Sequence, residues 1–231
     1  MDFLVEGLRH AWRLVVTGDR DVIHAVFVTL LCTLSATTLA ALLAFPYGAW
    51  LGIHRRRGQG LQVFLMRVGM FTPTVVVGLL VYGMLSRRGL LGSLDLLYTK
   101  SAIVIGEFLL AFPLMVTLVH GSTAVLPRIV PETARTLGAS RFAVLRTVLG
   151  EVRVGLVAAY LAALARCLSE LGVALTVGGN LRFHTRTLAS TITLELGKGE
   201  FGTALASGIL LLVLAGGAAL LAHGLSRETH R

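Results

Sequence analysis

Long apolar runs, bounded by glycine, proline or arginine, constrain this chain more than any other feature it carries. Residues 22–51 and 201–223 contain no Asp, Glu, Lys or Arg, and residues 101–121 contain one, Glu107. A helix crosses the roughly 30 Å hydrocarbon core of a bilayer with about 20 apolar residues, so each run is long enough to span. Lipid offers no hydrogen bonds to backbone, so such runs must be helical. The whole chain agrees: 55% of its 231 residues are hydrophobic and only 14% are charged, too few to cover a soluble domain.

Two weaker runs bring the expected spans to five: 22–51, 62–85, 101–121, 152–177 and 201–223. Thr72-Pro73-Thr74 interrupts the second, Pro113 lies inside the third, and Pro46 with Gly48 loosens the end of the first. Residues 3–16 place Leu4, Leu8, Ala11 and Val15 at helical spacing, which predicts an amphipathic helix along the membrane surface. No basic n-region precedes it, so no cleavable signal peptide is expected. The expected organisation is an N-terminal amphipathic segment over 1–20, one helical bundle over 21–225 and a short tail over 226–231. Four-residue spacings of small side chains (Ala36, Ala40, Ala44; Ala158, Ala162; Ala159, Ala163; Gly202, Ala206) suit close packing of helices in lipid. Cys32 and Cys167 are expected as buried thiols.

The net charge of +9 is dispersed among the loops, and aromatics make up only 7% of residues. Nucleic-acid binding would want a continuous basic patch with stacking rings, and is excluded. Arginines flanking spans instead set topology and meet lipid headgroups.

One loop is built unlike a spacer. In Pro131-Glu132-Thr133-Ala134-Arg135-Thr136-Leu137-Gly138-Ala139-Ser140-Arg141, the proline suits a first helical turn and Glu132 sets a negative charge near the positive helix end. Gly138 permits a turn and Ser140 can cap a second helix. Phe142, Leu145, Leu149 and Val152 then form one apolar face, with Arg141 and Arg146 off it. The loop, about 123–151, is therefore expected to fold as helix–turn–helix, a shape suited to docking a soluble partner.

Polar groups inside the spans leave choices open. Arg166 and Glu170 share a helix face, and charges at that depth need a partner or a wet cavity. They either lock each other or let Arg166 meet a passing anion. Thr29, Thr33 and Thr37 form a hydroxyl stripe, with Thr72 and Thr74 around Pro73. Such hydroxyls either bond the preceding turn's carbonyls or line a path. Beyond Gly178-Gly179, Asn180 can cap a turn or take a left-handed backbone, and Arg182, His184 and Arg186 make the segment basic.

Glu132-Thr133-Ala134 with Gly138 resembles the cytoplasmic "EAA" signature of ABC importer permeases, departing at Thr133. From residue 132 to about 208 the chain resembles the permease subunits of oxyanion ABC importers, above all the tungstate type and more distantly the molybdate type. The residues that carry this are Ser169-Glu170-Leu171-Gly172, Gly178-Gly179-Asn180, His184-Thr185-Arg186-Thr187, Leu194-Glu195 and Lys198-Gly199-Glu200. Residues 1–7, 73–83 and 91–99 resemble the tungstate branch too. Leu149-Gly150-Glu151 stands where many such permeases carry Leu-Pro, which favours tungstate over molybdate.

The resemblance implies an all-α integral membrane protein with the type I ABC importer permease fold: about five transmembrane helices plus the N-terminal amphipathic helix. It implies a homodimeric pore in a prokaryotic plasma (inner) membrane, served by two ATP-binding-cassette ATPase subunits and an extracytoplasmic oxyanion-binding protein. ATP and Mg would be bound by those ATPases, with no catalytic residue, cofactor or metal on this chain; it has no Gly-x-x-x-x-Gly-Lys-Ser/Thr loop. Glu132, Thr133, Ala134, Arg135, Leu137, Gly138, Ala139 and Arg141 would couple to the ATPase. Thr29, Thr33, Thr37, Thr72, Thr74, Arg166 and Glu170 are the candidates for the translocation path. Asn180, Arg182, His184 and Arg186 would form the external loop that receives the binding protein. The signature places the Glu132 loop in the cytoplasm, hence the N-terminus outside and the C-terminus inside. Eleven basic residues against nine lean the same way. Molybdate or sulfate is the alternative cargo. The rival classes are an ATP-independent channel or carrier, expected to show repeats and broken helices around a central site, and an intramembrane enzyme, expected to show a converging acid–base or metal set.

Overall fold

Asp19 starts the first long helix, its carboxylate accepting from the backbone N–H of Asp21 and Val22 at 3.0 and 3.2 Å. The helix, α1 (Arg20–Ile53), runs 34 residues through Pro46. At about 1.5 Å per residue that is about 51 Å, more than the hydrocarbon core requires, so it tilts or projects. The computed structural model describes residues 9, 12–14, 16–54 and 58–228, with side chains described as far as 220. Most of the expected N-terminal amphipathic segment, Arg55 to Arg57 and residues 229–231 lie outside the described residues.

Helices follow throughout: α2 (Gln59–Phe71), α3 (Thr74–Leu85), a 3-10 turn (Gly92–Leu94), α4 (Lys100–Ala124), α5 (Ile129–Thr136), α6 (Arg141–Glu151), α7 (Arg153–Leu168), α8 (Gly172–Gly178), α9 (Leu188–Lys198) and α10 (Phe201–Glu228). Three helices are individually long and apolar enough to cross: α1, α4 and α10. Two bent pairs supply up to two further crossings, α2 with α3 at 101° and α6 with α7 at 73°.

The first bend falls at the interruption expected at Thr72-Pro73-Thr74, and the expected span over 152–177 is itself broken. Over 62–85, Pro73 forces the preceding Thr72 into extended backbone (ψ 131°), and the helix restarts at Thr74 in a new direction. Over 152–177, the helix stops at Leu168, and α8 begins after a three-residue break at Ser169–Leu171. Pro113, by contrast, leaves α4 continuous across 25 residues.

The main packing is α1 on α4, and it is parallel. Near the start of both, Cys32 lies against Lys100; near their ends, Gly52 lies so close to Thr123 that no Cβ would fit. Two parallel neighbours require a return crossing between them, so α2 and α3 together make one passage. α7 runs the other way: Gly155 meets Ser122 near the end of α4, while Cys167 reaches the Glu107 carbonyl higher up. α8 continues that climb, with Val173 against Gly106 and Gly178 against Ile103.

Small residues make these approaches possible, as their spacing implied. Ala36, Ala40 and Ala44 are fully buried, and Ala40 and Ala44 join Ala111, Met115, Val116, Ala163 and Cys167 in the core. Of the two offset alanine pairs on α7, Ala159 and Ala163 face inward, whereas Ala158 and Ala162 are exposed. Without a hydrophobic drive between helices in lipid, this close contact is what holds them together.

Candidate functional site: a helix–turn–helix on one face of the bundle

The folding signals of the 123–151 loop act where its residues suggested. α5 carries Pro131 and Glu132 in its first half and ends at Thr136. The Leu137 N–H closes on the Thr133 carbonyl and the Ala139 N–H on that of Ala134, both at 3.0 Å. Gly138 then turns the chain at φ +81°, a left-handed conformation that a Cβ would strain. Ser140 caps α6, its hydroxyl accepting from the Ala143 N–H at 3.2 Å.

The apolar face of α6 differs from the expected one. Val144 and Val148 are its buried residues, Val148 packing with Ala49 of α1 and Val119 of α4, while Leu145 and Leu149 are half-buried against the same cluster. Phe142 is 76% exposed. Leu137 is 82% exposed at the turn, beside exposed Glu132, Thr133, Arg135 and Arg141; Ala134 and Ala139 are half-buried. Large apolar side chains ringed by unpaired charges mark a protein-binding surface.

The opposite face of the molecule carries the segment from 179 to 187. Arg182 donates from Nε and approaches Asp21 through Nη2 at 2.8 Å, tying this segment to the first turn of α1. The hydrogen bond and charge of Asp21 raise the guanidinium pKa, so Arg182 stays charged at any working pH. Asn180 takes φ +50°, and its Oδ1 accepts from Ser190 Oγ at 2.9 Å and from Arg186 Nε at 3.3 Å. Thr185, fully buried, donates to the Gly178 carbonyl and accepts from the Leu181 N–H. His184 is exposed. The segment is a braced cap with cationic side chains outward.

Between the faces, Arg166 and Glu170 meet. Arg166 Nη1 donates to Glu170 Oε2 at 3.3 Å, and Glu170 Oε1 accepts from the Val173 N–H at 3.0 Å. The glutamate side chain is 1% exposed and that of Arg166 42%. Glu170 therefore also caps α8, a role its place just before a helix start could have signalled.

The threonine stripe faces inward. Thr29 donates to the Ala25 carbonyl and accepts from the Leu188 N–H at 2.9 Å, joining α1 to α9. Thr37 donates to the Thr33 carbonyl. Thr33 Oγ1 and Glu107 Oε2 are buried without a close hydrogen bond among the described residues, with the Thr33 hydroxyl standing beside the Glu107 carboxyl. Thr72 donates to the Val68 carbonyl at the α2–α3 bend, and Thr74 sits against Gly172. Sequence patterning missed Glu107 as a buried polar site and missed the Asp21–Arg182 tie, which joins residues 161 apart.

Comparison with known proteins gives this geometry a class. The fold is that of a transmembrane subunit of an ABC transporter: it superposes with TM-score 0.70 on a chain of the bacterial alginate ABC transporter, crystallised with its alginate pentasaccharide-bound periplasmic protein. That match covers 99% of this chain and 89% of the other at 19% identity. No family model matches the chain. Among curated proteins, it is 33% identical over 214 residues to the tungstate uptake system permease protein TupB of Peptoclostridium acidaminophilum, covering 93% of this chain and 94% of that one. It is 32% identical over 227 residues to TupB of Campylobacter jejuni, covering 98% and 95%. The chain belongs to the permease family of oxyanion ABC importers, and is a multi-pass membrane protein.

Proposed function

We propose that this chain forms the pore of a tungstate importer, as a homodimer driven by two ATPase subunits that bind ATP and Mg. The exposed helix–turn–helix carries the reading: Glu132, Thr133, Arg135, Leu137, Gly138 and Arg141 are exposed among the described residues, with Ala134 and Ala139 half-buried between them. That surface enters a cleft of the ATPase, and closure of the two ATPases swings the bundles between inward-open and outward-open states as rigid bodies. The helix–turn–helix face is cytoplasmic, which puts the N-terminus outside and the C-terminus inside. Arg182, His184 and Arg186, on the opposite face, receive an anion-loaded binding protein and draw the oxyanion inward. Arg166, Glu170 and the threonines around Pro73 border the path. Tungstate leads because the two relatives described above are tungstate permeases over nearly their whole length.

Reconstitution into vesicles with and without the ATPase pair, scoring tungstate, molybdate and sulfate flux, tests this. Flux that needs ATP and favours tungstate is expected. Flux without ATP would transfer the chain to the channel or carrier class, which also uses broken helices such as α2–α3 and α7–α8.

A further inference from the structure

Thr33 on α1 and Glu107 on α4 bring two polar side chains into the packing of two spanning helices. Glu107 is 2% exposed and Thr33 is fully buried. The Thr33 hydroxyl stands beside the Glu107 carboxyl, yet neither Thr33 Oγ1 nor Glu107 Oε2 makes a close hydrogen bond among the described residues. The end of α7 closes the site: Cys167 Sγ donates to the Glu107 carbonyl at 3.7 Å, and Val173 of α8 packs on the adjacent Gly106. Three helices therefore converge on this carboxyl, next to the break that holds Glu170.

No cation comes with it. The ionisable groups around the carboxyl are Cys32 on α1, Cys167 on α7 and Glu170 in the break. Arg166 bonds Glu170, whose other oxygen takes the Val173 N–H. Lys100, two turns back along α4, lies over the Phe27 ring at 5.7 Å. None of the ion pairs among the described residues includes Glu107. An ionised carboxylate here would be a buried charge without a counter-ion, beside a second carboxylate. A neutral acid avoids that cost and brings an O–H of its own. One O–H···O bond between it and Thr33 answers both unbonded oxygens.

We propose that Glu107 carries a proton and, as a neutral acid, clasps α4 to Thr33 of α1 beside the α7–α8 break. It is a positioning residue: it holds α1 and α4 in register where α7 gives way to α8, and it leaves Arg166 to Glu170 alone. The proton also removes a negative charge close to the residues assigned to the path, where a second carboxylate would repel an oxyanion. That last consequence rests on the transport reading. The protonation and the bond to Thr33 do not, and their test needs neither ATPase nor cargo.

Infrared spectra of the full-length protein in detergent at neutral pH are compared with those of Glu107→Gln and Thr33→Val. The parent should show a protonated-carboxyl C=O band that Glu107→Gln lacks. Thr33→Val should move that band to higher frequency, because a carboxyl with one hydrogen bond fewer has a stiffer carbonyl. Glu107→Gln, neutral and close in size, should unfold within about 4 °C of the parent. A carboxylate band lost from Glu107→Gln in place of the acid band overturns the proposal. So does a folded Thr33→Val whose acid band keeps the parental frequency, since the acid would then bond elsewhere. A Glu107→Gln that fails to fold, or unfolds about 10 °C or more below the parent, would mean that the interior needs the charge, and overturns it too.

Discussion

Glu170→Ala is the most informative single change, because the glutamate does two jobs and the structure separates them. Its Oε1 accepts the Val173 N–H at the start of α8, and its Oε2 takes Arg166. Truncation strands a buried N–H, since Val173 is fully buried, at about 1–3 kcal/mol. The ion pair adds less than its burial first suggests. A fully buried pair broken on one side costs about 3–5 kcal/mol, but Arg166 is 42% exposed and screened, which brings its share to about 1 kcal/mol or below. Glu170→Ala should then lose roughly 2–3 kcal/mol, a fall of about 5–10 °C in unfolding midpoint for a chain of this size. Glu170→Gln keeps an oxygen for the Val173 amide and should fall by about 4 °C or less. Arg166→Gln strands a carboxylate that is 1% exposed and should fall further than Glu170→Gln. Thermal unfolding of the purified protein in one detergent, followed by helical circular dichroism, reads all three. Should Glu170→Gln fall as far as Glu170→Ala, the ion pair and not the cap holds the break between α7 and α8, and the reasoning fails.

Two further outcomes are expected. Thr29→Val removes the acceptor of the buried Leu188 N–H and should cost about 1–3 kcal/mol in the same assay; an unchanged midpoint would contradict the bonding described. Gly138→Val meets no atom within 4 Å but must hold φ +81°, at about 1–2 kcal/mol of strain. The bundle should survive while ATP hydrolysis by reconstituted ATPases ceases to drive flux, and normal coupled uptake would remove the turn from the coupling role.

Much of this protein was legible in local sequence, because the relevant forces act locally. Twenty apolar residues in lipid have one backbone solution, so α1, α4 and α10 follow from composition alone. Gly138 and Ser140 set the turn and cap of the helix–turn–helix through contacts within four residues, and alanine spacing marked the faces on which helices approach. What lay beyond reach depended on direction. Pro113 leaves its helix continuous while Pro73 stands at a 101° bend, although both lack the same N–H, so the presence of proline alone does not say which helix breaks. The exposure of Phe142 and the burial of Val144 turn on where the edge of the bundle falls, which periodicity does not resolve. Asp21 with Arg182, and Thr33 with Glu107, come together only because helix packing brings distant chain segments to the same depth. Composition determined that this chain lives in a membrane and where its helices lie. Tertiary packing alone decided which charges meet, since proximity across a bundle is set by helix direction and tilt, and neither is written in any local stretch of residues.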